Sequence, residues 1–257
     1  MPPEQLGSFY PVTYGYLSGT GVVGAMQRRL QRARMDYALA RRPLRTVAAR
    51  TPGNLLDVGC GRGDLAAAFV RRGWRATGVD PSAEACDAAR RQGVDAHAGT
   101  LASAELADES FDAVVMRHSL EHVPDPVADL ARIHRLLRPE GLLVISVPNF
   151  DSWERRRFGS AWFHLDLPRH RTHFVPDSLR LALSKSGLEL VSLEASGDAG
   201  SLLATLQYRF AGRLVSRSVP ALWAQYGLGT LASPLRALLD RQRGGGPFLH
   251  AVARRPG

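Results

Sequence analysis

The stretch of sequence that decides the fold is LLDVGCGRGDL, residues 55–65. A short apolar run opens it, three glycines follow at alternate positions, and an amphipathic segment comes next. This order predicts a buried strand over residues 54–58, a glycine loop, and a helix over residues 64–72. Glycine suits such a loop because the chain must turn sharply at the carboxyl end of the strand while its backbone comes close to a ligand. We therefore expect a nucleotide crevice here.

An acidic residue follows the loop at the distance that nucleotide sites require. The segment TGVD predicts the end of a second strand over residues 75–79, and it places Asp80 where its carboxylate can accept hydrogen bonds from both hydroxyls of a ribose. A dinucleotide fingerprint started at Gly59 would need glycine where Asp64 stands, so a mononucleoside is favoured over NAD. Asp80 and Ser82 are equally good caps for the next helix, and a purely structural role for Asp80 stays open.

Short apolar runs continue to alternate with amphipathic segments along the chain. Further strands are predicted over residues 94–98, 111–116, 142–147, 188–193 and 248–252. Helices are predicted over residues 22–50 with an interruption near Pro43, and over 83–92, 126–137, 176–186 and 201–243 with a break at Pro220. The residues RPEG, 138–141, predict a turn before the fifth strand. This alternation predicts a doubly wound α/β fold, in which a parallel sheet is covered on both faces by helices.

The length of the chain suits a single α/β domain with insertions, and we predict one domain over residues 1–257. Its parts are a helical and lid segment at 1–50, a cofactor-binding core at 51–198, a helical insertion at 199–246, and a last strand with a tail at 247–257. Within the core, residues 149–175 are polar and aromatic and too many for an ordinary connection. We expect them to form a substrate segment.

Composition excludes several classes of protein. Hydrophobic residues make up 45% and charged residues 22%, which is typical of a globular chain. No run approaches the roughly 18–20 apolar residues that span a bilayer, so neither secretion nor membrane spanning is expected. The two cysteines, Cys60 and Cys86, provide no disulfide framework, which favours the cytoplasm. The net charge of +9 is spread along the chain without an aromatic-interleaved basic patch, so no nucleic-acid partner is predicted.

Five motifs in order resemble the successive motifs of class I S-adenosylmethionine (SAM) dependent methyltransferases. They are DVGCGRG at 57–63, GVD at 78–80, SFDAV at 110–114, LEHVPDP at 120–126 and LRPEG at 137–141. The chain is most similar to the branch that includes ubiquinone-biosynthesis O-methyltransferases and bacterial small-molecule or glycan-modifying enzymes. The resemblance implies a Rossmann-like, mostly parallel sheet of seven strands whose last strand inserts antiparallel. It also implies SAM as cofactor and methyl transfer as the activity.

The same resemblance, carried over position by position, implies a set of cofactor contacts. Asp57 and the glycine loop would face the methionine end of SAM, with Asp80 at the ribose and Thr100 near the adenine. The residues predicted to bind SAM are Asp57, Gly59, Cys60, Gly61, Gly63, Asp80, Pro81, Thr100, Leu101, Met116 and Arg117. Asp57 can also serve as a structural acid that ties the loop together.

Histidines are the candidate catalytic residues. Methyl transfer from a sulfonium is an in-line displacement, so the enzyme must position a nucleophile and exclude water. If the nucleophile is a hydroxyl or an ammonium, a proton must leave, and an imidazole with an ordinary pKa of about 6.5 is a natural acceptor. We rank His122 first as base, followed by His170 and His173 in a P-x-H-x-x-H-F segment seen in this branch. His122 can instead be a packed histidine bonded to backbone, and the other two can be substrate wall.

The acceptor is expected to meet side chains around these histidines. The residues predicted to bind it are Tyr10, Tyr14, His118, Trp162 and His164. The two tyrosines can form a lid or simply pack against the sheet. His164, Asp166, His170 and His173 also suggest a metal site, but their spacing is not that of a known structural zinc module, and we predict no metal.

The function predicted from the sequence is methyl transfer from SAM to a small-molecule acceptor, at a hydroxyl oxygen, in a biosynthetic or tailoring pathway. A base-methylating enzyme would carry an Asn/Asp-Pro-Pro-aromatic signature where MRHS, residues 116–119, stands. Two alternatives remain: a non-catalytic SAM-binding regulatory or scaffold protein, and a methyltransferase for a lipid-linked or glycan acceptor at a membrane surface. The apolar, arginine-edged helices of residues 201–243 can contact a membrane peripherally, form a homodimer, or cover the sheet.

Overall fold

A computed structural model describes residues 21–41, 43–197, 199–211, 238, 240 and 245–257. The tyrosines predicted as a lid, Tyr10 and Tyr14, lie outside the described residues, as does the predicted helix break at Pro220. The predicted core, residues 51–198, is described except for residue 198.

Eight α-helices and seven strands are described, and most lie within a few residues of the predicted bounds. The helices are α1 (Gly21–Leu39), α2 (Leu44–Ala48), α3 (Asp64–Val70), α4 (Ala83–Arg90), α5 (Pro126–Leu136), α6 (Trp153–Phe158), α7 (Pro176–Lys185) and α8 (Ala199–Ala211). The strands are β1 (Asn54–Val58), β2 (Arg75–Asp80), β3 (Asp95–Ala98), β4 (Phe111–Arg117), β5 (Leu137–Pro148), β6 (Glu189–Ser196) and β7 (Phe248–Arg254). Two short 3₁₀ turns, Gly159–Ala161 and Phe163–Leu165, follow α6.

The strands form one sheet in the order β3-β2-β1-β4-β5-β7-β6. Strands β1 to β5 pair in parallel, and β7 inserts antiparallel between β5 and β6. The predicted Rossmann-like sheet of seven strands, with its antiparallel last strand, is therefore confirmed. Strands β2 and β3 lie on one side of β1, and β4 and β5 lie on the other, so the strand order reverses at β1. Ligands of open α/β sheets bind at such a reversal, outside the carboxyl ends of the strands.

Two hydrophobic cores lie on opposite faces of the sheet. Leu55 of β1 belongs to one core, together with side chains of α1, α2, α3 and α4. Its neighbour Leu56 belongs to the other, which contains side chains of α5 and α7. Successive strand residues point to opposite faces, so a strand that is apolar at nearly every position is covered on both sides. This explains why residues 55–58 are apolar on both faces of the sheet, with Asp57 as the exception.

The turn predicted at residues 138–141 is absorbed into β5. Leu137 already pairs with Phe111 of β4, and the register then shifts so that Leu142 faces Ala113. Glu140, with φ of 62°, takes up the irregularity. The strand continues through this bulge because the register shift accommodates the extra residues, so the prediction that β5 begins at residue 142 was wrong.

The helical segment before β1 is interrupted near Pro43, as predicted. Pro43 occupies the N-cap position of α2, and α1 ends four residues earlier at Leu39. Buried Met35 and Leu39 pack α1 into the core on the α3 side of the sheet. Within the part of the chain that the structure describes, no helix has the length and apolar character needed to cross a bilayer.

Candidate active site

The glycine loop between β1 and α3 has a backbone that favours glycine. Gly61 and Gly63 have φ values of 52° and 79°, in the left-handed region that other residues seldom adopt. A Cβ at Gly63 would lie 2.7 Å from the Cβ of Ala89, so the loop packs tightly against α4. A Cβ at Gly61, by contrast, would meet nothing within 4 Å. The loop therefore presents bare backbone toward open space, as a close approach to a ligand requires.

Asp80 lies at the carboxyl end of β2, beside this loop. One oxygen of its carboxylate accepts a hydrogen bond from the backbone N–H of Gly61 at 2.9 Å, and the other accepts from the N–H of Ser82, also at 2.9 Å. The cap of α4 is Ser82, whose hydroxyl accepts from the N–H of Ala85. The competing role of helix cap thus belongs to Ser82. Each oxygen of Asp80 keeps a second lone pair for a further donor.

Asp57 is a buried acid at the point where β1 meets the loop. It is 3% exposed, and burial raises the pKa of its carboxyl to about 7, although the nearby Arg117 guanidinium acts in the opposite direction. A hydrogen bond from the backbone of Ala66 ties Asp57 to α3. Burial likewise raises the pKa of the Cys60 thiol, so this cysteine is a neutral wall residue. This contact is consistent with the structural role that the sequence left open for Asp57, and the cofactor contact stays a prediction.

The other residues predicted to bind SAM occupy mixed environments. Pro81 and Thr100 are exposed beyond the ends of β2 and β3. Leu101 and Met116 are buried members of the hydrophobic core. Gly59 continues the turn after β1, and its N–H donates to the carbonyl of Val79 at 2.8 Å.

A cluster of histidines forms where the chain leaves β4. His122 Nδ1 lies 3.0 Å from the carbonyl oxygen of Arg169, and its ring centre is 4.8 Å from that of His170. His170 is 7% exposed, and its Nδ1 lies 2.8 Å from the carbonyl of His164. Burial lowers the pKa of His170, which favours the neutral imidazole. The structure therefore brings together the first two candidate bases.

Glu121 occupies the centre of this cluster and was not singled out from the sequence. Its carbonyl oxygen accepts hydrogen bonds from the N–H groups of Arg171 and Thr172, which dock the histidine-bearing segment onto the end of β4. Burial alone would raise the pKa of the Glu121 carboxyl, but the imidazoles of His118 and His122 outweigh it and hold this pKa below its ordinary value. The available signal was its place directly before His122 in the LEHVPDP motif.

His173, the third candidate base, is held in place by contacts with Leu165 and Phe150. Its Nε2 lies 3.0 Å from the carbonyl of Leu165, and its ring packs 4.9 Å from that of Phe150. Trp162 is 2% exposed and packs edge-on against His164.

His164 belongs to a buried polar chain that reaches α8. Its Nε2 lies 2.9 Å from the hydroxyl of Ser201, which in turn donates to the carboxylate of Glu154 at 3.0 Å. The backbone N–H of Phe163 donates to Thr205. The described helix of the predicted insertion therefore packs on the substrate segment.

The last strand adds two side chains that sequence reasoning missed. The Phe248 ring lies between those of His118, at 5.0 Å, and His164, at 4.7 Å. His250 Nδ1 is 2.9 Å from the hydroxyl of Ser146, and burial lowers the pKa of this imidazole to about 4, with nearby His118 and Arg117 acting in the same direction. His250 is 104 residues from its partner Ser146 in β5, and the antiparallel insertion of β7 brings these rings to the site.

The fold and this site define a class I SAM-dependent methyltransferase. Residues 28–193 match the family described as methyltransferase domain, which is well over half of the chain. The chain belongs to this methyltransferase family. The predicted fold, enzyme class and cofactor are thereby confirmed.

Individual relatives support the same assignment. The chain is 34% identical over 198 residues to the ubiquinone biosynthesis O-methyltransferase of Xanthomonas oryzae pv. oryzae, a match that covers 74% of this chain and 79% of the relative. The enzyme of the same name from Xanthomonas campestris pv. campestris is 33% identical over 199 residues, with the same coverage of 74% and 79%. The solved SAM-dependent methyltransferase of Archaeoglobus fulgidus shares the fold with a TM-score of 0.57 at 20% identity, covering 88% of this chain and 94% of that one.

Proposed function

We propose that this enzyme transfers the methyl group of SAM to a hydroxyl oxygen of a small-molecule acceptor, in a biosynthetic or tailoring pathway. The observation that carries the proposal is the group of imidazoles around the buried Glu121 at the carboxyl end of β4, beside the glycine loop. A hydroxyl must lose its proton to become a good nucleophile, and such a cluster can accept or redistribute that proton. The O-methyltransferase names of the Xanthomonas relatives favour oxygen as the acceptor atom.

The residues around the loop fit SAM. Gly61 leaves open space beside its backbone, and Asp80 has lone pairs for the ribose hydroxyls. The buried carboxylate of Asp57, next to the loop, matches the ammonium of the methionine portion. Thr100 and Leu101 would border the adenine, with Arg117 near the methionine end. When bound, SAM supplies an electrophilic methyl group on a sulfonium sulfur, which leaves as the neutral thioether S-adenosylhomocysteine.

The tautomer of His122 suits proton transfer. Because a carbonyl oxygen can only accept, the contact with Arg169 requires a proton on Nδ1, so the neutral imidazole has its lone pair on Nε2. Nε2 is therefore the atom that takes the hydroxyl proton. His170 and His173 also take part in proton transfer. His118, Trp162 and His164 contact the acceptor.

A membrane-surface acceptor, lipid-linked or glycan, is a second candidate. It is favoured by α8, which leaves Phe210 82% exposed and Tyr208 40% exposed next to the substrate segment. The same apolar surface can instead pair with a second subunit. The free, buried thiols of Cys60 and Cys86 support the cytoplasm as the compartment for either candidate.

Calorimetric titration tests the proposed function. We expect the purified chain to bind SAM and S-adenosylhomocysteine at one site and to give no heat with NAD. Supplied with hydroxylated small molecules, it should release S-adenosylhomocysteine in step with formation of a methyl ether, detected by mass spectrometry. NAD binding without SAM binding would contradict the assignment of the site, and SAM binding without turnover on any hydroxyl acceptor would favour the non-catalytic SAM-binding protein.

SAM affinity should depend on pH through Asp57. Its pKa of about 7 in the free enzyme means that the carboxyl is largely protonated at pH 6, whereas pairing with the SAM ammonium requires the carboxylate. Binding then releases a proton, so affinity should rise by up to about tenfold per pH unit between roughly pH 5.5 and 7 and level off above that range. Titrations across this range check the slope. Asp57→Asn is the control and should remove the slope, and a wild-type slope of zero would contradict the contact.

A further inference from the structure

Three side chains with metal-binding atoms converge beside the proposed acceptor site. Glu121, His122 and His170 each offer one ligand atom, and these atoms all lie within 4.8 Å of one another. Glu121 and His122 are adjacent in the connection that follows β4. His170 comes from the segment that is hydrogen-bonded to the Glu121 carbonyl, so two separate parts of the chain build the cluster.

The carboxylate of Glu121 is buried among imidazoles. Its side chain is 1% exposed, and among the described residues neither oxygen has a hydrogen bond of good geometry. His118 Nδ1 lies 3.5 Å and His170 Nε2 lies 4.0 Å from Oε1, and both distances are longer than a good hydrogen bond. Burying a carboxylate is costly unless it is paired, hydrogen-bonded or bound to a metal. The buried carboxylate of Glu121 is therefore suited to bind a cation within the cluster.

The two imidazoles have the tautomer that a metal requires. Nδ1–H of His122 donates to the carbonyl of Arg169, and Nδ1–H of His170 donates to the carbonyl of His164. In both rings the lone pair is consequently on Nε2. Metal-binding histidines are fixed in the same way, because a second hydrogen bond through the other nitrogen sets both the tautomer and the ring orientation.

A strained residue lies next to the cluster. His118 has φ of 53°, a left-handed conformation that is uncommon for a residue with a side chain. It directs the imidazole toward Glu121 and is 41% exposed, so it lies on the solvent side of the cluster. Strain of this kind collects at functional sites, where the surrounding structure holds the residue in place.

We propose that Glu121, His122 and His170 bind one divalent cation of the zinc type, and that this cation holds the acceptor oxygen during methyl transfer. Two imidazoles and one carboxylate form a ligand set that suits Zn²⁺ and leaves a coordination position for a substrate oxygen. A cation would also pair closely with the buried Glu121 carboxylate, which the imidazole of His118 approaches only to 3.5 Å.

The cluster differs from the set that the sequence suggested. His164 Nε2 contacts Ser201, and His173 Nε2 donates to a backbone carbonyl, so both nitrogens have other partners. Asp166 is engaged by Arg169 in an ion pair of 2.5 Å. Of the four residues weighed from the sequence, only His170 belongs to the proposed site.

The chemical consequence rests on the proposed function. A cation-bound hydroxyl ionises more readily: its O–H bond breaks, the electron pair stays on the oxygen, and the proton passes to water. The oxygen then forms the new bond to the methyl carbon, while the sulfur keeps the electron pair of the bond that breaks. In the cation-loaded enzyme, His122 Nε2 is a ligand, and the cation takes over the activation that the imidazole alone would provide.

Equilibrium dialysis of the tag-free full chain against Zn²⁺, followed by metal analysis, tests the site without any assay of activity. We expect one Zn²⁺ per chain. Glu121→Gln should weaken binding at least 100-fold, and His170→Asn should weaken it strongly. The matched control is His97→Ala, which removes an exposed histidine on β3 that pairs with Asp95, and it should bind Zn²⁺ as the wild type does. SAM titration of every variant reports whether the fold is intact.

The outcomes separate this inference from the proposed function. A wild-type chain that binds SAM and methylates a hydroxyl after dialysis against a chelator, without retaining or rebinding Zn²⁺, overturns the cation site and leaves the proposed function intact. Zn²⁺ binding that Glu121→Gln and His170→Asn do not change overturns it as well, because the ion then lies elsewhere. Failure to bind SAM contradicts the proposed function, whatever the metal analysis gives.

Discussion

Replacing Asp80 by alanine is expected to weaken SAM binding about 100-fold. Two hydrogen bonds from ribose hydroxyls to a carboxylate are charge-assisted, and together they contribute about 3 kcal/mol, which corresponds to roughly that factor in Kd. The same substitution removes the acceptors for the N–H groups of Gly61 and Ser82, so the glycine loop should also lose order. Isothermal titration with SAM measures the affinity, and thermal unfolding measures the effect on the loop.

Two further variants make this result specific. Asp95→Ala removes an exposed carboxylate of the same charge from the adjacent strand and should leave SAM affinity unchanged. Asp80→Asn keeps one oxygen acceptor and should give an intermediate loss. If Asp80→Ala binds SAM as tightly as Asp95→Ala does, the ribose is held elsewhere, and the predicted contact is wrong.

Replacing His122 by alanine should lower turnover about 100-fold or more at saturating SAM, with SAM affinity changed by less than about threefold. General acid–base groups contribute about 100- to 10,000-fold to rates. Both roles proposed for Nε2, proton acceptor in the metal-free enzyme and ligand in the metal-loaded one, disappear with the ring. Turnover of the natural acceptor, followed as S-adenosylhomocysteine release, is the measurement.

The matched control for this histidine is His97→Ala, which should retain full turnover. Added imidazole should partly restore the His122→Ala enzyme, since a small base can enter the space that the ring vacates, whereas it should do nothing for the wild type. Unchanged turnover of His122→Ala would show that His122 is a packed residue held by the Arg169 carbonyl, the alternative that the sequence left open.

The fold was predictable because its signals are local. Strand β1, the glycine loop and α3 follow one another within seventeen residues, and the apolar periodicity of each element reflects the faces it buries. The turn predicted around Glu140 is a bulge within β5. The sequence could not distinguish the two, because a bulge and a turn have the same local chemistry and only pairing with β4 separates them. The extra length of β6 beyond residue 193 has a similar cause, because its pairing with β7 continues to Ser196.

The candidate site was only partly predictable. Asp57 and Asp80 lie at the carboxyl ends of β1 and β2, so their positions at this edge of the sheet could be inferred from the sequence. The environment of Glu121 could not, since it depends on His170, which is nearly fifty residues away and is brought there by backbone hydrogen bonds. His250 was missed for the same reason, because its strand reaches the site through a pairing across more than a hundred residues.

The insertion of β7 between β5 and β6 also affects how the protein is made. Among the described strands β6 pairs with β7 alone, so a growing polypeptide cannot close this sheet until residues 248–254 have emerged from the ribosome. Until then the free edge of β5 exposes hydrogen-bonding groups that invite association with other nascent chains. Assembly of the acceptor pocket must therefore wait for residues 248–254, and during that delay the edge of β5 is open to association with other chains.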